Sequence, residues 1–342
     1  MTFPPTNPRV SKLLPTPKRS RYATAALVTA GVLSAAALLN HLFAKRAERA
    51  NPPKGKFLNV RGVRMHYVER GEGEPLVLLH GNGSMIQDFE TSGLIEMAAK
   101  SYRVIAFDRP GYGHSDRPRT TIWTANAQAD LIHEAMLELG IERAIVLGHS
   151  WGASVAVALA LRHPEIVGGL VLASGYYYPS MRSDVVAASG PAVPIFGDVL
   201  RYTVSPMLGR ALWPLLLRKI FGPSPTPAKF GGFPVEMVLR PSTLRASAAE
   251  SALMIPDAFA AHGRYAELKA PVAIIAGEAD KIVDVAGQSA RLHDELPQST
   301  FDCIPGVGHM VHQTKPERVM AAIDIASGRK SSLVREAALA AE

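Results

Sequence analysis

The sequence predicts an α/β fold, a doubly wound and mostly parallel sheet with helices on both faces. From residue 57 onward, short runs rich in Val, Leu and Ile alternate with helix-length amphipathic segments. These runs are apolar throughout, as strands buried on both faces must be. The alternation stops once, over residues 176–265, where prolines and aromatics replace strand-like runs. This interruption predicts a helical lid inserted into the sheet domain.

The composition favours a packed domain and argues against a nucleic-acid partner. The 342 residues are 47% apolar and 20% charged, which suffices for a large core. The net charge of +7 comes from one end, because residues 1–56 hold ten Lys or Arg against Glu48 alone. The rest of the chain is slightly acidic and offers no basic face for phosphates. Cys303 is the only cysteine, which excludes an internal disulfide and a cysteine-based metal cluster.

The basic N-terminal part predicts a membrane anchor. Residues 1–22 are basic and rich in proline, and we expect them to be disordered. Ala23–Phe43 is uncharged and long enough to cross a bilayer, which predicts a transmembrane helix. The alternative is a signal peptide cleaved near Ala35–Ala37, which would leave a secreted or periplasmic protein. Cations flank both ends, so the sidedness of a single-pass, membrane-anchored chain stays open.

The other boundaries follow from composition and periodicity. Residues 44–56 predict a linker, 57–326 a folded domain with its lid at about 176–265, and 327–342 a C-terminal tail. The domain opens with a hairpin of residues 57–60 and 64–69. The predicted buried strands are Pro75–His80, Arg103–Asp108, Ala144–Gly148, Gly169–Ala173, Pro271–Gly277 and Thr300–Ile304. The predicted helices include Ala125–Leu139, Ala153–Arg162, Leu208–Phe221 and Pro316–Ser327.

Ser150 lies in the run G-H-S-W-G, at the junction of a predicted strand and a predicted helix. A sharp turn there strains the serine backbone and projects its hydroxyl outward. Gly148 and Gly152 lack the Cβ atoms that would collide across such a turn. The N-terminus of the following helix favours developing negative charge. The pattern therefore predicts a nucleophilic serine, with an ordinary serine at a glycine-rich helix cap as the alternative.

A serine hydroxyl needs a base, and the base needs an acid to orient it. In the chain order typical of such a turn, the acid and then the histidine follow the serine. Asp280 follows a strand in G-E-A-D-K-I-V, and His309 follows the last strand in G-V-G-H-M. Loops at the carboxyl ends of parallel strands converge, so we assign His309 as general base and Asp280 as its acid. The alternatives are Glu278 or Asp284 as acid and His312, expected on a helix surface, as base.

Two backbone amides are predicted to hold the oxyanion of an acyl-transfer reaction. One belongs to Trp151, directly after the serine, and the other to Asn82 in the run H-G-N-G after an early strand. Gly81 and Gly83 let this backbone approach a substrate. His80 is expected to order the loop by hydrogen bonding.

The remaining polar motifs predict structural roles. Asp108–Ser115, D-R-P-G-Y-G-H-S, follows another strand and is typical of a turn held by Asp and Gly. His114 and His149 are expected to be scaffold or pocket wall. The sequence shows no dense His, Asp and Glu cluster with metal spacing, and Gly111 and Gly113 lack the third glycine of a dinucleotide fingerprint. We therefore predict neither a metal nor a cofactor.

Together, H-G-N-G, D-R-P-G-Y-G-H-S, G-H-S-W-G, G-E-A-D-K-I-V and G-V-G-H-M resemble the α/β-hydrolase fold superfamily. The resemblance is to its lid-bearing branch of esterases, epoxide-hydrolase-like enzymes and C–C hydrolases, and it covers about residues 57–326. It implies an eight-stranded sheet and a lid between the sixth and seventh strands. It also implies a triad of Ser150, Asp280 and His309.

One departure from some relatives narrows the expected chemistry. Epoxide hydrolases and haloalkane dehalogenases of this branch place an aspartate where this chain has Ser150. The chain resembles the dehalogenases in pairing Asn82 with Trp151, the two positions that hold halide there. Ser150 argues against that reaction, because a serine alkyl ether could not be released by attack at a carbonyl. Acyl chemistry remains, with a carboxylic ester as the first expectation and an acyl-enzyme as intermediate.

The expected ligand is a small hydrophobic acyl substrate, which would suit an apolar lid and a membrane tether. Its contacts are predicted to include Gly81, Gly83, His149, Tyr176 and Met310. C–C bond hydrolysis and cofactor-free perhydrolysis on the same triad are alternatives, and a non-catalytic binding protein of this fold is another.

Overall fold

The computed structural model describes residues 21–329, so most of the predicted disordered segment and of the predicted tail lies outside the described residues. Arg21 and Tyr22 are already helical, which corrects the disorder predicted through residue 22. Residues 327–329 follow the last helix in turn and bend conformation.

An eight-stranded sheet forms the centre of the domain. Its strands are β1 (Lys56–Val60), β2 (Val63–Arg70), β3 (Glu74–Leu79), β4 (Tyr102–Phe107), β5 (Ala144–His149), β6 (Val167–Ala173), β7 (Val272–Gly277) and β8 (Ser299–Ile304). Their spatial order is β1-β2-β4-β3-β5-β6-β7-β8. The strand β2 runs antiparallel to β1 and β4, and the other neighbours pair in parallel. The predicted fold class is confirmed.

Thirteen α-helices accompany the sheet in the described residues. Those before the lid are α1 (Arg21–Ala50), α2 (Ile86–Ser92), α3 (Leu94–Ala98), α4 (Ala125–Glu138) and α5 (Trp151–Arg162). Those of the lid are α6 (Ser183–Ala188), α7 (Phe196–Tyr202), α8 (Val204–Phe221), α9 (Val235–Val238) and α10 (Pro241–Ala261). The last are α11 (Arg291–Glu295), α12 (Val311–Thr314) and α13 (Pro316–Ala326).

The sheet is buried on both faces, which explains its unbroken apolar strands. Successive side chains of β3 point to opposite sides. Val77 and Leu79 join the core formed with α4 and α5, whereas Leu76 and Leu78 join the core formed with α2, α3 and α13. All four side chains are fully buried.

The parallel arrangement brings several strand ends to one edge of the sheet. Leu79 at the end of β3 pairs with Gly148 near the end of β5, and Gly277 at the end of β7 pairs with Ile304 at the end of β8. The loops that follow these strands carry the predicted site residues. A crevice at the carboxyl ends of parallel strands is the usual place for a ligand in such sheets.

The lid lies between β6 and β7 and contains helices and turns without a described strand. Residues 174–271 separate the two strands, so the insertion is longer than the predicted 176–265. The helix predicted from Leu208 begins at Val204, and Pro214 lies inside it. The lid packs a third cluster around Phe221, Phe230 and Phe233, which also includes Ala47, Met85 and Met310 from outside the lid.

The helix α1 has the length and composition of a membrane span. Its most apolar window has a mean hydropathy of 1.8, and none of that window is buried. The helix continues to Ala50, so the predicted linker of residues 44–56 is wrong for its first half. Ala, Lys, Arg and Glu dominate residues 44–50, and all four favour helix.

Candidate active site

Ser150 occupies a strained turn between β5 and α5. Its φ of 53° and ψ of −119° lie in a region that residues with a side chain rarely adopt. A Cβ on Gly148 would lie 2.2 Å from the Gly152 carbonyl oxygen, and one on Gly152 would lie 2.1 Å from the Leu79 carbonyl oxygen. Only glycine fits these positions, so the sequence G-x-S-x-G is what allows the turn to form.

Asp280 and His309 form a hydrogen-bonded pair beside this turn. The carboxylate oxygen Oδ2 of Asp280 lies 2.7 Å from Nδ1 of His309. Its other oxygen accepts hydrogen bonds from the amides of Ile282, at 2.7 Å, and Val283, at 3.0 Å. The carboxylate is 1% exposed and therefore has a fixed direction. This arrangement orients the imidazole and leaves its Nε2 for another partner.

Ser150 and His309 line the same cavity, but no hydrogen bond joins them in the described part of the chain. The Ser150 hydroxyl has no hydrogen-bond partner among residues 21–329, whereas its amide donates to the Ala173 carbonyl at 2.9 Å. In ligand-free sites the hydrogen bond between nucleophile and base is often long or poorly aligned. The structure thus brings Ser150 and His309 to one cavity, and Asp280 contacts the Nδ1 side of the His309 ring.

The loop that carries Asn82 lies against the turn at Ser150. Gly81 approaches so closely that a Cβ there would lie 3.1 Å from Ser150 Cβ and 3.1 Å from His149 Nδ1. Within residues 21–329 no carbonyl or side chain accepts a hydrogen bond from the amide of Asn82 or of Trp151. The amide of Trp151 is the first of α5, so the helix itself has no acceptor for it.

The Asn82 side chain is engaged with the lid and does not point freely into the cavity. Its Nδ2 donates to the Ser247 carbonyl and to Ser251 Oγ, each at 3.2 Å, and both residues belong to α10. Its Oδ1 accepts from the Tyr112 hydroxyl at 2.8 Å. The indole of Trp151 is 1% exposed. These contacts fix the loop that follows β3.

A buried ion pair supports the same loop from below. Arg109 is fully buried and donates to the carbonyl oxygens of His80, at 2.7 Å, and Gly81, at 2.9 Å. Its guanidinium also contacts Glu250 of α10 at 2.6 and 3.1 Å. Burial would raise the pKa of Glu250, but the Arg109 charge and hydrogen bonds outweigh it and lower the pKa. The carboxylate is therefore charged, and it ties the lid to the loop.

Other predicted structural residues lie where hydrogen bonding was expected. His80 pairs its Nδ1 with the Gly81 carbonyl at 2.8 Å and accepts from the Arg109 amide at 3.0 Å. Burial, followed by the Arg109 charge, lowers the pKa of His80 to about 4, so the ring is neutral. Asp108 accepts from the amides of Ile86 and His114, each at 3.0 Å. The turn at Asp108–Ser115 is structural, as predicted.

A second histidine–carboxylate pair lies next to the first. His312 is fully buried, with its Nε2 3.0 Å from Asp88 Oδ1, so its expected place on a helix surface was wrong. The reason is that α12 is a single turn, with Val311, His312 and Gln313 all buried. Burial would raise the pKa of Asp88, but His312 and Gln313 outweigh it and hold the pKa well below its usual value.

His149 lies between the two pairs. Its ring centroid is 5.0 Å from that of His309 and 4.3 Å from that of His312. Burial, followed by the charges of His312 and His309, holds the pKa of His149 well below 6.5. One carboxylate oxygen of Asp88, one ring nitrogen of His149 and one of His312 lie within 4.8 Å of one another, as the ligands of a metal ion do. Both Asp88 oxygens, however, accept hydrogen bonds, one from Ser84 at 2.9 Å and one from Gln313 at 2.8 Å, as in a structural carboxylate.

The cavity above Ser150 has a volume of about 370 Å³, and residues of the lid form part of its wall. Of the predicted substrate contacts, Gly81, Gly83, His149 and Met310 line it. Its apolar wall consists of Val185, Ala188, Trp213, Leu216, Ile220, Phe230, Phe233, Met254, Ile282 and Met310. Tyr176 does not line it, which corrects that prediction. Tyr176 lies at a separate space of about 40 Å³, and its hydroxyl accepts from the Ser180 amide at 2.8 Å.

Sequence reasoning missed the charged residues of the lid. Glu250 is the only acidic residue in the small apolar run A-S-A-A-E-S-A-L, which in hindsight signals a buried partner. Arg182 and Asp184 line the cavity and pair with each other at 2.8 and 3.0 Å. Arg182 precedes α6 and Asp184 lies in its first turn, and this two-residue spacing gave no such signal.

The fold and site can be compared with known proteins. A 2-hydroxymuconate semialdehyde hydrolase of Pseudomonas sp. (strain CF600) is 35% identical over 136 residues, which is 39% of this chain. The match spans 48% of that enzyme, so the chain covers about half of this relative. A 2-(acetamidomethylene)succinate hydrolase of Mesorhizobium japonicum is 28% identical over 272 residues, covering 78% of this chain and 92% of that enzyme.

Solved structures with the same fold include a membrane phospholipase A, a bacterial virulence factor. It aligns with a TM-score of 0.61 at 22% identity, over 89% of this chain and 97% of that one. A thermophilic esterase from Thermogutta terrifontis aligns with a TM-score of 0.63 at 22% identity, over 79% and 96%. A family model described as the alpha/beta hydrolase fold matches residues 74–316. The chain belongs to the alpha/beta hydrolase fold family, whose members similar to it include hydrolases.

Proposed function

We propose that this chain is a serine hydrolase that cleaves a carboxylic ester or a related acyl bond. One observation carries the proposal. The strained Ser150 and His309, whose ring is hydrogen-bonded to Asp280, line one mostly apolar cavity. A serine on such a turn, with a histidine held by a buried carboxylate, is the arrangement that acyl transfer requires.

The proposed mechanism assigns one task to each group. His309 Nε2 takes the Ser150 proton as the hydroxyl oxygen attacks the acyl carbon, and Asp280 stabilises the imidazolium. The amides of Asn82 and Trp151 donate to the tetrahedral oxyanion. The bond to the leaving group breaks as His309 returns the proton to it. Water, deprotonated by His309, then attacks the acyl-enzyme and releases Ser150 and the acid.

The cavity favours a neutral, hydrophobic acyl group. Among the described residues that line it, Arg182 is the only Lys or Arg, and Asp184 neutralises it by accepting two hydrogen bonds. Asp88 adds a buried negative charge on the same wall. A substrate with a free carboxylate would therefore find no unpaired cation, whereas an alkyl chain would contact Trp213 and Leu216.

Labelling with a fluorophosphonate tests the reaction class. The parent chain should be labelled, and the Ser150→Ala and His309→Ala variants should not. The matched controls are Ser154→Ala, four residues further along α5, and His293→Ala, on α11, where its Nδ1 lies 2.7 Å from Ser299 Oγ. Both controls should label like the parent. Labelling of Ser150→Ala at the parent rate would refute the proposal.

A second candidate, hydrolysis of a C–C or amide bond on the same residues, is favoured by the relatives. Two of them are named as hydrolases of a hydroxymuconate semialdehyde and of an acetamidomethylene succinate. A substrate panel separates the candidates. Rates on p-nitrophenyl esters of increasing chain length would be compared with rates on a ring-cleavage semialdehyde and an amide. Preference for the semialdehyde over every ester would favour the second candidate.

We also propose that α1 anchors the chain in a membrane as a single span. The contacts of its second half argue against signal cleavage near Ala35–Ala37. Asn40 is 3% exposed and donates to the carbonyl oxygens of Tyr202, at 3.0 Å, and Thr203, at 2.7 Å. A leader that is removed would not be expected to pack into the folded domain. Resistance of the chain to carbonate extraction tests the anchor, and protease protection gives its orientation.

A further inference from the structure

The exposed apolar side chains of this molecule are concentrated in two adjoining places. Within residues 21–329 nearly all of the large ones belong to α1 or to the lid segment 181–216, and only four lie elsewhere. We call the exposed apolar side chains of residues 193–216 the lid face. Its members include Ile195, Phe196, Val199, Met207, Leu208 and Leu215, which are 48–81% exposed. A patch of this extent on a folded domain indicates a contact surface.

The helix α1 runs beside the lid face and is fixed to it. Leu33, Ala36, Ala37, Asn40 and Phe43 are buried or half-buried at helical spacing. The helices packed against α1 are α7, α8 and α9.

Two polar contacts fix the lid to α1 within the predicted span. Arg210 of α8 donates to Asn40 Oδ1 at 3.0 Å, and its guanidinium carbon lies 4.6 Å from the Phe43 ring centroid. Because Asn40 and Phe43 belong to the Ala23–Phe43 segment, contact with the lid begins inside the predicted span and not after it.

Because the lid contacts α1 inside the predicted span, the position of the span in the bilayer also fixes how deep the lid lies. A span of Ala23–Phe43 measures about 30 Å at 1.5 Å per residue, which matches the hydrocarbon core. Leu33 to Phe43 accounts for about 15 Å of that length and lies along the lid. We propose that the lid face is immersed in the lipid bilayer beside α1, at the depth of the second half of the span. This proposal rests on the proposed anchor.

The distribution of charge favours a bilayer over a second copy of the chain. Beyond the apolar stretch of α1 come the exposed Lys45 and Arg46, and beyond the lid face on α8 come the exposed Arg218 and Lys219. Cations that follow an apolar surface on two neighbouring helices suit the headgroup layer of a membrane with anionic lipid. Residues 21–32 of α1 are all exposed, so the bare part of the span and the lid face are apolar surfaces on helices that pack together.

The lid face also connects with the cavity. Leu216 is 42% exposed and lines the cavity, and Trp213 lines the cavity from the same helix. A lipophilic ester dissolved in the bilayer could therefore reach Ser150 by passing over α8 without entering water. This step of the inference rests on the proposed hydrolase function as well.

Fluorescence quenching in vesicles tests the immersion. The full chain, with Cys303→Ser to remove its one thiol, would be reconstituted in vesicles of phosphatidylcholine and phosphatidylglycerol. An environment-sensitive label would be placed through Phe196→Cys, with Leu137→Cys on α4 as the matched control, since Leu137 is 53% exposed. We expect nitroxide lipid to quench roughly half of the Phe196→Cys emission, because interfacial apolar groups lie about 5–10 Å below the headgroups. Iodide should quench the Leu137→Cys label instead.

The other outcomes would overturn the proposal. Equal iodide quenching of both labels would mean that the lid face lies in water. Protection from iodide without quenching by lipid would mean that another copy of the chain covers the face. If carbonate extracts the chain from the vesicles, α1 is not a membrane span, and the proposal that rests on it fails. Fluorophosphonate labelling of the same samples reports the hydrolase function separately, so its failure would leave the quenching result unchanged.

Discussion

Two histidines three residues apart each lie beside a buried carboxylate, but they occupy different surroundings. His309 is hydrogen-bonded to Asp280 at 2.7 Å and lines the cavity with Ser150. His312 lies 3.0 Å from Asp88, makes no aligned hydrogen bond to it, and is sealed beneath the cavity. A histidine with an acid is therefore not enough to identify a general base. Access to the serine is what distinguishes the first pair from the second.

The largest expected effect separates the two histidines. His309→Ala should lower kcat on a p-nitrophenyl ester by about 10⁴-fold or more, because the base is removed. His312→Ala should keep kcat within about tenfold, because a ring without access to Ser150 acts only through packing and charge. Steady-state kinetics on both variants measures the contrast. An equal loss of kcat in the two variants, with both still folded, would refute the assignment of His309.

Like the two histidines, the carboxylates of Asp280 and Asp88 should differ in their effect on kcat, with the larger loss at Asp280. Asp280→Asn is expected to lower kcat by about 10⁴-fold, since an amide would favour the wrong imidazole tautomer. Asp88→Asn should act mainly on stability, because it removes a charge held by His312, Ser84 and Gln313. Kinetics and thermal unfolding of both variants make the comparison. A larger loss of kcat in Asp88→Asn than in Asp280→Asn would overturn it.

Glu250 tests whether the lid positions the oxyanion loop. Glu250→Gln leaves Arg109 buried without its counterion, and the loop carbonyls that Arg109 holds should shift. A displacement of about 1 Å far from the chemistry can cost about 10²-fold, so we expect kcat to fall by about that factor, with less change in KM.

Glu267→Gln is the control for this prediction, because Glu267 pairs with Arg264 on the surface. Loss of stability with unchanged kcat in Glu250→Gln would show a purely structural role.

The smallest expected effect concerns Asp257, a half-buried carboxyl that has no cationic partner among residues 21–329. Burial raises the pKa of Asp257 from 3.8 to about 6, and the Ala125 amide only partly opposes this. The folded state therefore binds this proton more tightly than the unfolded state. The stabilisation is complete below pH 3.8 and is lost as the pH rises through 6.

Asp257→Asn should gain stability relative to the parent as the pH is raised from 4 to 8, by about 2–4 °C in Tm. Asp294→Asn, at an exposed position of α11, should show no such trend. Thermal unfolding at several pH values measures both variants. A constant difference between Asp257→Asn and the parent across this pH range would contradict the raised pKa.

The fold was predictable because its signals are local. Buried parallel strands are apolar without interruption, and the turn at Ser150 needs glycine on both sides, so position and chain order suffice. The convergence of Ser150, Asp280 and His309 follows from the rule that strand ends share one edge. Their catalytic roles remain predictions.

The features of the site that the sequence did not predict depend on contacts between residues far apart in the chain or on the local direction of a short segment. Arg109 and Glu250 are 141 residues apart, and no periodicity relates them. His312 was misplaced because four residues of α12 are too few to show which side is buried. Tyr176 follows β6 closely, yet its backbone turns away from the cavity to meet Ser154 at 3.0 Å.

The contact between Arg109 and Glu250 also bears on how such chains can be recombined. A lid is an attractive unit to exchange between relatives, since it enters and leaves the sheet domain at two neighbouring strands. Here the lid carries half of a buried ion pair, and the catalytic loop depends on the other half. A chimaera whose lid lacked an acid at the position of Glu250 would leave the buried Arg109 without a counterion, next to the loop that carries the oxyanion amide. Grafting should therefore transfer the two residues as a pair.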